Sequence, residues 1–225
     1  MQSGPQLVYD CSFDKQMSKI EFCTIANQLT MSFHANRKHH QPFGMHLCSV
    51  DFSSNMMQQL LKNIPTLLSS SFPMQVHQED LVKAFPRERI VYLTPHSRED
   101  LHEYNPEDIY VIPAYAAMSG QPPFCLAKAK KLELRTARLP INRHLQWVGG
   151  HGVRTPLNQL TSILLDVKST GDWSVAMQNI PKRKLIQATE YRRQEMEHIA
   201  KQRDPFHLPD VTHLRENRRN PFRKN

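Results

Sequence analysis

The stretch from Ile109 to Trp147 gathers the residues best suited to holding a ligand. Ile109-Tyr110-Val111-Ile112 runs into Pro113, and a turn-rich loop through Pro123 follows, carrying Ala117, Met118, Ser119, Gly120 and Gln121. Ser119 and Gln121 can hydrogen-bond the edge of a nucleobase, although neither is a base at neutral pH. Two carboxylates, Asp10 and Asp108, stand beside strand candidates and could approach a pocket. Each is expected to be solvated or to cap a turn. His34, His39, His40 and His46 match no standard metal-ligand spacing and have no acidic or cysteine partners in pattern, so they read as surface histidines near RNA or solvent. No metal site is expected. The four cysteines, Cys11, Cys23, Cys48 and Cys125, contain no C-x-x-C pair and suit free buried thiols in a reducing compartment.

Charge adds a partner class. The 225 residues carry a formal net charge of +8, which favours an anionic partner, nucleic acid first and membrane surface second. The segment 182–225 has 12 Lys or Arg against 6 Asp or Glu, so the body is nearly neutral and the tail is the basic element. Arg37, Lys38, Lys128, Lys130, Lys131, Lys182, Arg183, Lys184, Arg192 and Arg193 form the candidate RNA surface, because phosphate contacts supply affinity without choosing a sequence. No apolar run approaches the ~18 residues of a membrane span. The first 15 residues contain Asp10 and Asp14 but no Arg, unlike a transit peptide.

The elements that must position these groups follow from periodicity. Four apolar residues closed by Pro113 predict a fully buried strand, hence a parallel sheet covered on both faces. Loops at the carboxyl ends of such strands are where open α/β sheets place ligands. Leu7-Val8-Tyr9, Met45 to Val50 and Ile90 to Thr94 are further strands. Ser18 to Arg37 reads as a helix whose apolar face is Phe22, Ile25, Ala26, Leu29 and Phe33. Asn55 to Lys62 is a second helix, ended by Pro65. Ser97-Arg98-Glu99-Asp100 has the form of a helix start with an acidic first turn. Phe124 to Leu132 is a short basic helix, followed by an apolar segment closing on Leu139-Pro140-Ile141. Thr155 as N-cap and Pro156 at the first helical position open a helix with the stripe Leu157, Leu160, Ile163, Leu164 and Val167, stopped at Gly171. Trp173 to Ile180 is a last packed helix. Lys182 to Arg203 has helical composition, and 204–225 reads as irregular. Strands alternating with helices imply βαβ units.

The ordered set Leu7-Val8-Tyr9-Asp10-Cys11-Ser12-Phe13, Ser32-Phe33-His34-Ala35-Asn36-Arg37-Lys38, Tyr92-Leu93-Thr94, Val111-Ile112-Pro113, Leu126-Ala127-Lys128-Ala129-Lys130-Lys131, Leu139-Pro140-Ile141, Leu145-Gln146-Trp147, Asp172-Trp173 and Pro181-Lys182-Arg183-Lys184 resembles the tRNA purine-9 N1-methyltransferases over about residues 6–185. The resemblance implies a SPOUT α/β fold with a trefoil knot, placed over 1–181 and followed by the basic tail over 182–225 that the charge count marks. It also implies S-adenosyl-L-methionine as cofactor, held near Leu93, Thr94, Pro113, Ala117, Met118, Ser119, Gly120, Gln121, Cys125, Leu139, Gly152, Val153 and Arg154. One branch of this family serves mitochondrial ribonuclease P. By that analogy the location is mitochondrial, and the partners are tRNA or precursor tRNA, a short-chain dehydrogenase subunit and a metallonuclease subunit. The sequence departs from the pattern in one loop: Pro113 replaces a family Gly, and Ala117 replaces a family Asp. Methylating guanine N1 requires loss of its proton, which a carboxylate assists and an alanine cannot. Adenine N1 already offers a lone pair. The resemblance therefore leaves three readings: a tRNA-binding scaffold with impaired catalysis, an adenine-9 methyltransferase, or a degenerate relative that binds neither cofactor nor RNA.

Overall fold

The computed structural model describes residues 4–115, 122–144 and 155–181, together with Arg193, Met196, Glu197 and Ile199. Six strands, β1 (Gln6–Asp10), β2 (Gly44–Cys48), β3 (Met74–Val76), β4 (Ile90–Leu93), β5 (Ile109–Pro113) and β6 (Arg135–Ala137), form one sheet in the order β3-β2-β1-β5-β4-β6. All five pairings are parallel. Seven helices are described: α1 (Lys19–Lys38), α2 (Asn55–Asn63), α3 (Leu81–Ala84), α4 (Phe124–Lys131), α5 (Ile141–His144), α6 (Leu157–Thr170) and α7 (Trp173–Ala176).

Both faces of the sheet are buried, and the strands show it by period-two alternation. Leu7 and Tyr9 of β1, Val91 and Leu93 of β4, and Tyr110 and Ile112 of β5 join one core with residues of α1, α2, α6 and α7. The intervening Val8, Ile90, Tyr92, Ile109 and Val111 join a smaller core with Leu81 of α3 and Cys125 and Ala129 of α4. Unbroken apolar runs are what a strand covered on both sides requires.

The expected apolar face of α1 is the buried one, with Ser32 and Asn36 added. Asn36 is not idle: its side chain donates to the Phe43 carbonyl at 3.0 Å and accepts the Phe43 amide at 2.8 Å, which ties the end of α1 to the start of β2. Glu21 closes the start of α1 by accepting the Ser18 amide at 2.7 Å. Helix α6 buries Leu157, Ile163, Leu164 and Val167, and Gly171 at φ 69° stops it in the left-handed conformation. It opens at Leu157, one residue later than the Thr155-Pro156 signal predicts, where Gln28 of α1 accepts the Leu157 amide at 2.9 Å. A tertiary acceptor caps that end.

One expectation is overturned. Ser97 to Asp100 does not start a helix. The backbone there pairs sideways instead, Arg138 N donating to Glu99 O and Leu101 N to Arg138 O, both at 2.8 Å. A bridge joins Asp100 to Arg138, so the residues that could have turned into a helix extend the sheet past β4 and β6. Leu145-Gln146-Trp147, the trefoil knot and the tail 182–225 as a unit lie outside the described residues.

Candidate functional site

The carboxyl ends of β1 and β5 meet where the strand order reverses, the position at which α/β sheets open a crevice for ligands. Asp10 ends β1 directly opposite Pro113, and the Ala114 amide donates to the Asp10 carbonyl at 2.9 Å. The Asp10 side chain has no solvent exposure. Tyr92 donates its hydroxyl to Oδ2 at 2.8 Å, the Ser12 amide donates to Oδ1 at 3.1 Å, and Lys128 Nζ donates to both oxygens at 3.0 and 2.8 Å. A carboxylate has about four acceptor positions, and all are taken. Lys128 also donates to Ser12 Oγ at 2.9 Å and lies 3.3 Å from Asp80. Lys128 lies on α4 next to Ala129, which with Cys125 marks the buried face of that helix. Asp10 is therefore not solvated, contrary to the reading from sequence, although its acceptance of the Ser12 amide does cap the turn that follows β1. Asp108 is not solvated either; it pairs with Arg135 Nη2 at 2.5 Å, one residue before β5 begins and so at the opposite, amino edge of the sheet.

Three of the four cysteines surround this buried pair. Burial and then the Asp10 charge push the Cys48 and Cys125 thiols up to about 12, and burial pushes Cys11 well above its usual value. They are protonated at neutral pH, which removes thiolate nucleophilic chemistry from them.

Next to this filled crevice, the ends of β5, β4 and β6 lie side by side. Leu93 is in register with Ala137, and the Thr94 amide donates to the Ala137 carbonyl at 2.9 Å. Leu93, Ala114 and Ala137 are buried on the α6 side, with Leu139 half-buried against the same core. Leu93, Thr94, Pro113 and Leu139 are thus brought to one edge, whereas Cys125 packs on the opposite face with Tyr92. Ala117, Met118, Ser119, Gly120 and Gln121, and Gly152, Val153 and Arg154, lie outside the described residues.

The exit loops of β4 and β6 are joined by a second buried carboxylate that sequence reading missed. Asp100, with a side chain 5% exposed, takes Arg138 Nε on Oδ1 and Arg143 Nε on Oδ2, each at 2.5 Å. The Arg138 hydrogen bond, with the charge of both arginines, holds the Asp100 carboxyl below the usual carboxylate range. Nearby, Trp173 Nε1 donates to the His102 carbonyl at 2.6 Å, and His144 lies against the Trp173 ring.

The model of the tRNA (guanine(9)-N(1))-methyltransferase TRM10/TRM10A family matches residues 1–185. The chain belongs to the TRM10 family. It is 44% identical over 198 residues to the mitochondrial ribonuclease P protein 1 homolog of Drosophila melanogaster, covering 88% of this chain and 44% of that protein. To the tRNA methyltransferase 10 homolog C of Homo sapiens it is 34% identical over 189 residues, covering 82% and 45%. The chain therefore spans about half the length of these curated relatives. A crystal structure of full-length spTrm10 with SAH superimposes with a TM-score of 0.69 at 23% identity, covering 78% of this chain and 94% of that one. A dual-specific Trm10 from Thermococcus kodakaraensis gives 0.59 at 15% identity, covering 79% and 99%. At these identities the likeness establishes the Trm10 fold.

The basic residues expected to contact RNA are dispersed on this TRM10 domain. Lys128 is taken up by Asp10 and is not a surface cation. Arg37 and Lys38 close α1 just before β2, and Lys130 and Lys131 close α4 just before β6. All four are exposed, at the amino edge of the sheet. Arg193 is exposed and lies 3.7 Å from Glu197, an ordinary i,i+4 pair. Lys182, Arg183, Lys184 and Arg192 lie outside the described residues. His46 is not a surface histidine. It is 7% exposed, its Nδ1 lies 3.0 Å from His77 Nε2, and its other ring nitrogen bonds Gln6. Burial, reinforced by His77, lowers its pKa to about 4, so it is neutral and offers RNA no charge.

Proposed function

We propose that this chain binds tRNA or precursor tRNA and S-adenosyl-L-methionine through its TRM10 domain, serves mainly as a scaffold in mitochondrial tRNA processing, and does not methylate guanine. The observation that carries the loss of guanine chemistry is the placement of the carboxylates. Ala117 stands where the family pattern has Asp. Asp10, the carboxylate beside Pro113, already accepts Tyr92, Ser12 and Lys128 and lies inside the protein. Asp108 lies at the opposite edge of the sheet. Neither replaces the missing base that would assist loss of the N1 proton of guanine.

The cofactor part rests on the chemistry of the strand ends. Pro113 and Leu139 are half-buried and uncharged at these strand ends, which suits the flat, uncharged face of an adenosyl group. Bound there, S-adenosyl-L-methionine would supply an electrophilic methyl group. The chain's own residues would hold it and exclude water. The spTrm10 crystal structure is a complex with SAH, which supports the same ligand class here. The name of the Drosophila relative supports a mitochondrial ribonuclease P setting; a short-chain dehydrogenase subunit and a metallonuclease subunit belong to this reading as partners by resemblance alone. The SPOUT trefoil knot belongs to this reading by resemblance, and the basic tail over 182–225 by its charge.

A second reading is an active adenine-9 N1-methyltransferase. The substitution at Ala117 favours it over guanine chemistry, because adenine N1 needs no deprotonation.

Isothermal titration with S-adenosyl-L-methionine, tRNA gel shifts, and methyl incorporation into transcripts bearing A or G at position nine test these readings. The scaffold reading expects micromolar cofactor binding, a tRNA shift, and no methylation at G9 by the wild type. G9 methylation by the wild type overturns it. Methylation at A9 replaces it with the second reading. A tRNA shift without cofactor binding removes the cofactor and leaves the scaffold, and no shift at all leaves only a degenerate relative.

A further inference from the structure

Substrate RNA must reach the carboxyl edge of the sheet if it is to meet the cofactor loops. The exposed lysines and arginines that close α1 and α4 lie at the other edge, and Lys128 is consumed by Asp10. Among the described residues, the arginines beside the exits of β4 and β6 are Arg98, Arg138 and Arg143. Two of these are unusually organised. Arg138 and Arg143 each place Nε on one oxygen of the same carboxylate, Asp100. Their side chains remain 42% and 61% exposed while that of Asp100 is 5% exposed, so the outer ends of both guanidiniums face solvent from a buried anchor.

This arrangement exceeds what closing the loops requires. The backbone already does that, through Arg138 N to Glu99 O and Leu101 N to Arg138 O. One arginine would neutralise Asp100. The second leaves a surplus positive charge on the one carboxylate, and holds two like charges next to each other in the absence of a second anion. Arginine forks of this kind match phosphate oxygens in geometry as well as charge. Leu139 follows Arg138 directly, so the fork borders the cofactor edge.

We propose that Arg138 and Arg143 are a two-pronged contact for the phosphate backbone of the RNA substrate, pre-positioned by Asp100 at the carboxyl edge of β4 and β6. The inference rests on the tRNA-binding reading above. RNA is the ligand assigned to the fork; the carboxylate of the cofactor is the competing anion, and the experiment separates them.

The test is fluorescence anisotropy of the full chain with an unmodified tRNA transcript across about 50–200 mM salt, paired with cofactor titration. Arg143→Ala is expected to weaken tRNA binding several-fold at low salt. It should reduce the slope of log K against log salt by about 0.7–0.9, the value of one lost phosphate contact, and leave cofactor affinity unchanged. Arg143→Lys should restore the slope but only part of the affinity, because charge returns without the fork. Asp100→Asn keeps both cations and loses their anchor; affinity should fall with little change in slope. The variant K130A/K131A, at the amino edge, should leave the slope intact. An unchanged slope for Arg143→Ala overturns the inference while wild-type tRNA binding keeps the proposed function. Loss of cofactor affinity with an unchanged slope reassigns the fork to the cofactor, and a slope lost only in the lysine variant moves the RNA to the other edge. If the wild type binds no tRNA, both readings fall together.

Discussion

Asp10 and Asp100 are both buried carboxylates at the carboxyl edge of one sheet, and they are neutralised in opposite ways. Asp10 shares a single lysine with Asp80, so that cluster has more anion than cation and is closed by hydrogen bonds from Tyr92 and Ser12. Asp100 has two arginines to itself, and both stay half in solvent. The first arrangement uses all of its hydrogen-bonding capacity inside the protein. The second keeps capacity open at the surface. A buried ion pair by itself is weak evidence of function; what distinguishes these two is what remains unpaired once the pair is formed.

The sharpest way to break the comparison is to remove Lys128. Lys128→Met leaves Asp10 buried without its cation and should cost about 3–5 kcal/mol, read from the urea midpoint. Adding Asp10→Asn to that variant should recover part of the loss, because the uncompensated charge is then gone. Additive losses would mean the two residues do not act as a pair.

Tyr92→Phe comes next. It deletes one hydrogen bond to an ionised acceptor, worth about 1.5–3 kcal/mol, and should leave tRNA affinity untouched. An equal loss of tRNA binding would make the Asp10 cluster part of the binding surface after all.

His46 supplies a pH test on the same side of the sheet. Its folded pKa is about 4 against an ordinary value of 6.5, so the unfolded chain binds the extra proton first. The stability it contributes is full above pH 6.5, declines as pH falls through that value, and levels off below about 4. His46→Gln should flatten the pH dependence of the urea midpoint within that window. An unchanged profile would place the titration elsewhere.

The smallest effect should come from Arg143→Ala, within about 0.5 kcal/mol of wild-type stability, as for an exposed side chain. A loss as large as that of Tyr92→Phe would turn the Asp100 fork into another structural pair and erase the contrast.

The two carboxylates also differ in how far they could be read from sequence. Strands β1, β4 and β5 are legible because Leu7-Val8-Tyr9, Ile90 to Leu93 and Ile109 to Ile112 are unbroken apolar runs, as burial on both faces demands. Met74-Gln75-Val76 and Arg135-Thr136-Ala137 are edge strands of three residues each, and their pairing is set by neighbours instead of by pattern. Asp10 looks like a turn residue until its position is weighed: it follows three buried apolar residues in a central strand, so it needs a cation, and Lys128 beside the inner face of α4 is the one that reaches it. Asp100 gave the opposite signal. Ser97 through Asp100 has helix-cap chemistry, and only pairing with Arg138, 38 residues away, diverts it. Family motifs pointed to the carboxyl edge of the sheet, whereas of the basic residues picked out by charge Arg37, Lys38, Lys130 and Lys131 stand at the amino edge and Lys128 is paired with Asp10.

The neighbours β1 and β5 have a consequence for how the chain folds. Leu7 pairs with Tyr110 and Asp10 with Pro113, so the centre of the sheet closes across about 100 residues of chain. At roughly 5–20 residues synthesised per second, β1 waits on the order of 5–20 s with its future β5 side open. The first three strands can assemble during that delay, but only as a half-sheet with an apolar edge. Long-range parallel pairing of this kind is slow and prone to wrong partners. For this domain, the vulnerable interval is set by the ribosome.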